Sequence, residues 1–143
     1  LVRVLRSVGA VAAGIAVAFV LAIAVELFSS IVHPFPAGSG GTFEEICEHV
    51  ARYPAWVLAV VVVAWGLTVF ASTWTAGRLG NRACAAVVGL LLLAAVLYNV
   101  ALLPYPIWFE IVVVIAIVLA GAWAYRLSGR RTAHRPPADA LAT

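Results

Sequence analysis

Four long apolar runs, separated by short polar segments, dominate the sequence. Their uncharged parts cover residues 8–25, 53–77, 83–109 and 111–125. A helix needs about 20 mostly apolar residues to cross a bilayer, so each run is a candidate span. The last two runs together would make a helix of roughly 64 Å at 1.5 Å per residue, about twice the thickness of the bilayer core. The prolines of "LPYP", residues 103–106, break that helix into two.

This pattern predicts an all-α fold, a bundle of four transmembrane helices. The membrane domain takes residues 1–126, and the predicted spans are approximately 7–32, 54–77, 83–103 and 106–126. Residues 127–143 are polar and contain two prolines, and we expect them to form a polar tail on the cytoplasmic side.

A fifth, shorter helix is predicted over residues 43–53, in the connection after the first span. Thr42 and Glu45 have the spacing of a capping box. Apolar residues fall on one helical face and charged residues on the other, namely Phe43, Ile46, Cys47 and Val50 against Glu44, Glu45, Glu48 and Arg52. The pattern indicates an amphipathic helix at the membrane surface. Two interpretations follow: a connector that rests on the bundle, which we favour, or a docking surface for a partner.

Composition and charge agree with a membrane protein and set its orientation. The chain is 65% hydrophobic and 10% charged, whereas soluble domains are about 25% charged, so the water-soluble class is excluded.

The basic residues flank the spans and do not form a nucleic-acid-binding patch, and no nucleic-acid partner is expected. Eight of the nine arginines lie before the first span, between the second and third, and at or after the end of the fourth, whereas the first loop contains one, Arg52. The eight are Arg3, Arg6, Arg78, Arg82, Arg126, Arg130, Arg131 and Arg135. The positive-inside rule therefore predicts that both termini are cytoplasmic, and the arginine-rich, lysine-free composition indicates a bacterial inner membrane.

Small residues recur at steps of four along the first span, and the same column contains one carboxylate. The set is Gly14, Ala18, Ala22, Glu26 and Ser30. Small residues at this spacing let helices approach closely in lipid, so we expect this face to pack against other helices. Gly89 is the corresponding small residue in the third span. On this interpretation Glu26 faces the interior of the bundle.

Polar residues on three different spans are predicted to lie at one depth, in the outer third of the membrane. They are Glu26, Asn99 and Glu110, with Tyr98 and His33 near the same level. Two neighbouring carboxylates would share a proton, which suits proton transfer, a divalent ion or a cationic ligand. With His33 the group could also form a mixed oxygen and imidazole metal site, although we predict no metal.

A structural role for each of these residues is the alternative. Glu26 could simply hydrogen bond between helices, and Glu110 lies where a helix N-terminus favours negative charge. His33 precedes Pro34 and could be a solvated turn residue.

No catalytic motif is present in the sequence, so we expect neither enzyme activity nor a cofactor. The segments "HPFP", "WVLAVVVVAWG" and "NVALLPYPIWFE", with a Glu near the end of the first span, resemble small uncharacterised four-helix membrane proteins of bacteria. The resemblance covers most of residues 1–126 and implies the fold but no activity. Small multidrug transporters also have four helices and a Glu in the first. This chain differs from them in the outer position of Glu26, its longer first loop and the additional Glu110.

Two functional hypotheses remain open at this point. The first is a non-enzymatic accessory or scaffold subunit that packs against lipid, other membrane subunits or a second copy of itself. The second is a small proton- or ion-coupled transporter that uses Glu26 with Asn99 and Glu110.

Overall fold

The protein is all-helical over the residues that the structure, a computed structural model, describes: 1–38 and 40–129. It has five helices there: α1 (Val2–Val32), α2 (Phe43–Ala51), α3 (Ala55–Leu79), α4 (Arg82–Leu102) and α5 (Ile107–Ser128). All except α2 are long and apolar enough to cross a membrane. The prediction of an all-α chain with four apolar spans is therefore confirmed.

The helix ends follow the capping residues in the sequence. The side chain of Asn81 accepts a hydrogen bond from the Cys84 amide at 3.1 Å and so begins α4. Pro54 and Pro106 precede α3 and α5, where a missing N–H costs nothing. Apart from the start of α1, which begins five residues early at Val2, each long helix ends within two residues of its predicted span. Residues 127 and 128 extend α5, and residues 130–143 of the predicted tail lie outside the described residues.

Helix α3 is the centre of the bundle. It packs against α1, α4 and α5, and α4 also packs against α1 and α5. Within the described residues α1 and α5 do not pack against each other, so they lie on opposite sides of the α3–α4 pair. The bundle has two ends. We call the end with Arg6, Arg78, Arg82 and Arg126 the arginine end, and the opposite end, which carries α2, the α2 end.

The buried side of α1 departs gradually from the predicted column of residues. Its buried residues are Ala10, Gly14, Ala18, Val25 and Ser29. An α-helix has 3.6 residues per turn, so each step of four advances about 40° beyond a full turn. Three steps therefore place Glu26 about 120° around the helix from Gly14. In the single chain Ala22 is half-buried, and Glu26 and Ser30 are exposed beside the buried line.

Glycine and alanine bring α1, α3 and α4 together at the arginine end. A Cβ added to Gly14 would lie 2.9 Å from both the Ala76 Cβ and the Ser72 carbonyl oxygen. A Cβ added to Gly80 would lie 2.7 Å from the Ala10 Cβ. Arg6 ties the same end together, because its Nε donates to the Leu79 carbonyl at 2.9 Å. Larger residues fill the α2 half: Val57, Leu58, Val61, Phe109, Val113 and Ile117.

Gly14→Ala should destabilise the bundle because the new methyl group meets backbone and side-chain atoms that cannot move aside easily. Overpacking of this kind typically costs about 1–3 kcal/mol. The free energy of unfolding, measured by titrating detergent-solubilised protein with sodium dodecyl sulfate, should fall by that amount. Gly9→Ala is the matched control on the same helix, because nothing lies within 4 Å of its added Cβ. Equal losses for the two variants would show that α1 does not pack closely at Gly14.

Candidate functional site

A cavity of about 170 Å³ lies inside the bundle at the α2 end. All five helices and three connections contribute to its wall. Aromatic and polar residues are concentrated there, namely Glu26, Ser29, Phe35, His49, Tyr53, Trp65, Asn99, Tyr105 and Phe109. Aliphatic residues complete the wall, namely Val25, Ile46, Val50, Leu58, Val61, Val96, Val100, Leu103 and Val113. Trp65 lies ten residues into α3, so the cavity reaches about 15 Å along that helix from its start.

Helix α2 covers the mouth of this cavity through its side chains. His49 and Val50 are buried, although no Cα atom of α2 lies within 8 Å of a Cα atom in another described helix. The His49 ring is stacked between those of Phe35 and His33, with centroid distances of 3.9 and 4.3 Å. The Tyr53 ring lies 4.7 Å from that of His33, and Nε2 of His33 donates to the His49 carbonyl at 3.4 Å. A stack of rings thus joins the end of α1 to α2.

The connection before α2 is built to turn the chain back over the bundle. Gly38 and Gly41 have φ angles of 92° and 73°, a left-handed conformation that glycine adopts at little cost. The capping box is formed: the Thr42 amide donates to Oε2 of Glu45 at 3.1 Å, and the Glu45 amide donates to Oγ1 of Thr42 at 3.3 Å. Backbone hydrogen bonds, that of Thr42 first, lower the pKa of Glu45. Whether α2 also contacts a membrane surface stays a prediction.

Two tyrosines, Tyr53 and Tyr105, line the cavity together with Glu26. Burial raises the pKa of Tyr105 to about 12, with smaller contributions from Tyr53 and Glu26. Burial also raises the pKa of Tyr53, a hydrogen bond with Ser29 opposes the shift, and the negative charge of Glu26 adds to it. Both hydroxyls therefore stay protonated at physiological pH and can donate hydrogen bonds.

Glu26 has no cationic partner within the part of the chain that the structure describes. The ion pair found there joins Arg52 to Glu48, one turn apart on the exposed side of α2. Tyr53 and Tyr105, whose hydroxyls are neutral, line the same cavity as Glu26. An ionised carboxylate beside a largely apolar cavity is costly without an opposite charge.

The structure brings two of the five sequence-predicted site residues into the cavity wall. Glu26 and Asn99 line it. His33 lies behind the wall and touches it through His49. Tyr98 is 69% exposed on the outer side of α4, and Glu110 is half-buried outside the cavity. Phe109, the neighbour of Glu110 on α5, lines the cavity but Glu110 does not, so the structure does not gather Glu26 and Glu110 in one pocket.

Sequence analysis missed several residues of the cavity. Tyr53 and Tyr105 flank spans, where aromatic residues usually anchor a helix in the interface, but here they turn inward. Trp65 carried a usable signal, because a Trp near the middle of a span is far from the interface that this residue prefers. Nothing in the sequence pattern indicated that Ser29, rather than Ser30, faces the interior. Ser30 is exposed, and its hydroxyl donates to the Leu27 carbonyl.

A metal centre does not fit the described residues. No group of three His, Cys, Asp or Glu side chains is close enough there to hold an ion. His33 and His49 approach each other by stacking, and His49 is surrounded by aromatic rings. The arrangement favours a neutral His49, and burial, followed by the charge of His33, lowers its pKa.

Docking of α2 should weaken as the pH falls. Because the His49 pKa is lowered in the docked state, the docked form favours neutral imidazole; its stabilisation is complete above the ordinary pKa of about 6.5 and is lost below it. Amide hydrogen exchange in residues 43–51, corrected for intrinsic rates, should show less protection at pH 5 than at pH 7.5. His49→Phe keeps a ring and removes the titration, so it should flatten this dependence. The same pH dependence in the variant would contradict the assignment to His49.

Comparison with known proteins adds no relative to this picture. No family model matches the chain, and neither a curated protein nor a solved structure matches it. The function is therefore argued from the cavity itself.

Proposed function

We propose that this integral membrane protein binds a small organic cation in the α2-end cavity and that this binding is the recognition step of a small carrier. The observation that carries the proposal is the Glu26 carboxylate, which has no cationic partner among the described residues and lies in the wall of an aromatic-lined cavity. A cationic ligand would supply the missing charge. Asn99 adds an amide that can orient the ligand.

The aromatic lining supports an organic cation over a hydrated inorganic one. Phe35, Trp65 and Phe109 contribute ring surface to the wall, and ring faces attract alkylammonium groups. Aliphatic residues make up much of the remainder, which leaves few oxygen ligands for a bare ion. A substituted ammonium can place its charge at Glu26 and its carbon atoms against the rings.

The size of the cavity limits the ligand to a small molecule. Its volume is about 170 Å³, and an apolar protein cavity of about 150 Å³ accommodates benzene. A monocyclic amine or a small quaternary ammonium compound is therefore the expected size class. The positive-inside rule favours entry from the outer face, where α2 would have to move aside.

Of the two sequence-based hypotheses, the transporter role has more support than the accessory-subunit role. The accessory-subunit hypothesis rested on the interfacial helix, on the lack of a catalytic motif and on small-residue faces that could receive a partner. Gly14 and Gly80, however, are used within the chain, where they allow α1, α3 and α4 to meet. The transporter hypothesis gains support from the cavity, with Glu26 and Asn99 retained and Glu110 left out. We therefore place the binding role first and keep the accessory role as the second hypothesis.

Glu26→Gln should weaken binding of benzylammonium by about tenfold to a hundredfold, because it removes the charge from a charge-assisted hydrogen bond worth about 1.5–3 kcal/mol. The affinity can be measured by isothermal titration calorimetry on the full chain in detergent. Benzyl alcohol, a neutral molecule with the same ring, should bind the two proteins equally and more weakly than benzylammonium binds the wild type.

Glu110→Gln is the matched control, because it neutralises a second carboxylate near the same end but outside the cavity. It should leave benzylammonium binding unchanged. Because the amine partitions into the micelles of both samples alike, comparing the two variants also corrects for that partition. Equal losses in the two variants would contradict a site confined to the cavity. Benzyl alcohol binding as tight as that of benzylammonium would contradict the cation. Uptake of labelled benzylammonium into vesicles containing the protein, lost in Glu26→Gln, would extend binding to transport.

A further inference from the structure

A second feature of the bundle, a groove between α4 and α5, lies at the arginine end, away from the α2-end cavity. Its volume is about 350 Å³. Small residues form much of its floor: Ala85, Ala86, Gly89, Gly121 and Ala122. The groove faces the side of the bundle that lipid would occupy. We call it the α4–α5 groove.

One buried hydroxyl group in this groove has no hydrogen-bond partner. Thr73, on α3, is 1% exposed and lines the groove, and its Oγ1 has no partner. The hydroxyl lies beneath Gly89, where an added Cβ would come 3.4 Å from Oγ1. Thr68, one and a half turns earlier on α3, instead donates to the Ala64 carbonyl at 2.8 Å. An unpaired hydroxyl in a low-dielectric region is costly. The Thr73 hydroxyl would therefore be stabilised by donating a hydrogen bond to an acceptor on another molecule.

A positive charge lies at the open end of the groove. Arg126, two residues before the end of α5, lines it, is exposed and makes no ion pair with the described residues. Arg82 is close by, with its guanidinium 5.5 Å from the centre of the Tyr125 ring, and Tyr125 also lines the groove. The charge at this end is therefore complementary to an anion.

The arginine, the hydroxyl and the apolar floor of the α4–α5 groove lie at successive depths. This order matches that of the phosphate, the ester and the acyl chain in a phospholipid. A Cβ added to Gly77 would meet the Ser128 side chain, which sets these two residues at one level. Four residues separate Thr73 from Gly77 and two separate Arg126 from Ser128, so Thr73 lies about 3 Å deeper than Arg126. The long Arg126 side chain can extend further toward the interface. From Arg126 to Ile117 the groove runs about 14 Å, close to one leaflet of a 30 Å hydrocarbon core.

We propose that the α4–α5 groove is a binding site for an anionic phospholipid. One acyl chain lies on Gly89, Gly121 and Ala122, and Arg126 holds the phosphate. The Thr73 hydroxyl donates to an acyl ester oxygen once local movement at Gly89 admits it. Basic pockets between transmembrane helices are known to suit anionic headgroups.

A second copy of the chain fits this groove less well than a lipid does. Two copies that pack these faces together about an axis along the membrane normal would bring their Arg126 side chains to the same depth. Like charges at close range in a low-dielectric region repel. A lipid satisfies both the charge of Arg126 and the hydroxyl of Thr73.

Lipid binding to the full chain can be measured by native mass spectrometry with phosphatidylglycerol and with phosphatidylcholine that carries the same acyl chains. We expect the wild type to retain phosphatidylglycerol preferentially. Arg126→Gln should reduce that preference about fivefold, the effect of one arginine near an anionic surface. Gly121→Leu should reduce retention of phosphatidylglycerol by filling the groove; its Cβ meets only Val69 at an ordinary 3.6 Å, so folding should be kept.

Each variant has a matched control. Arg78→Gln removes a charge at the same end, from a side chain that lies over Trp74 and not in the groove. Gly66→Leu adds the same side chain to α3 at a site with nothing within 4 Å. Both should retain phosphatidylglycerol as the wild type does. Equal retention of the two lipids by the wild type, or equal losses in variants and controls, would overturn the proposal. A change in oligomeric state on Gly121→Leu with lipid retention unaltered would assign the groove to a second copy.

Discussion

The close approach of α1, α3 and α4 at the arginine end is the constraint on which the rest of the structure depends. Without a hydrophobic driving force between helices in lipid, association relies on contact at short range, and small residues permit it. Gly14 and Gly80 have no room for a side chain. Larger residues fill the α2 half of the bundle, and the cavity lies among them, with Trp65 and Phe109 in its wall.

Helix α2 determines how the cavity meets its surroundings. Without a cover, the aromatic wall of this cavity would be exposed. Here the glycine turn and the capping box return the chain over the opening, and His49 closes it with its ring. The cover is held by side-chain stacking and not by helix-to-helix packing. Such a contact can open without disturbing the four long helices, which fits a site that must admit a ligand.

Sequence reasoning predicted the elements of this fold better than their arrangement. The spans and the capping box at Thr42 are local features, set by composition, proline and hydrogen-bonding side chains, and they are readable from the chain. The facing of Glu26 depends on helical phase, which drifts over three turns from Gly14. Glu110 is left out of the cavity although Phe109 on the same helix lines it, so its separation from Glu26 depends on the rotation of α5 about its axis, which no local pattern encodes. The inward position of Tyr53 and Tyr105 likewise depends on how the helices meet in three dimensions.

The two ends of the bundle present opposite chemistry on the same pair of helices. Asn99 on α4 and Phe109 on α5 line the cavity, and Gly89 and Gly121 on the same helices line the α4–α5 groove. The spacing of α4 and α5 therefore affects both sites at once. Because packed helices move as rigid elements, an acyl chain that separates them at Gly89 and Gly121 would change the cavity wall three turns away. Lipid in the groove and cation in the cavity would then be coupled reciprocally, each altering the affinity for the other by the same factor.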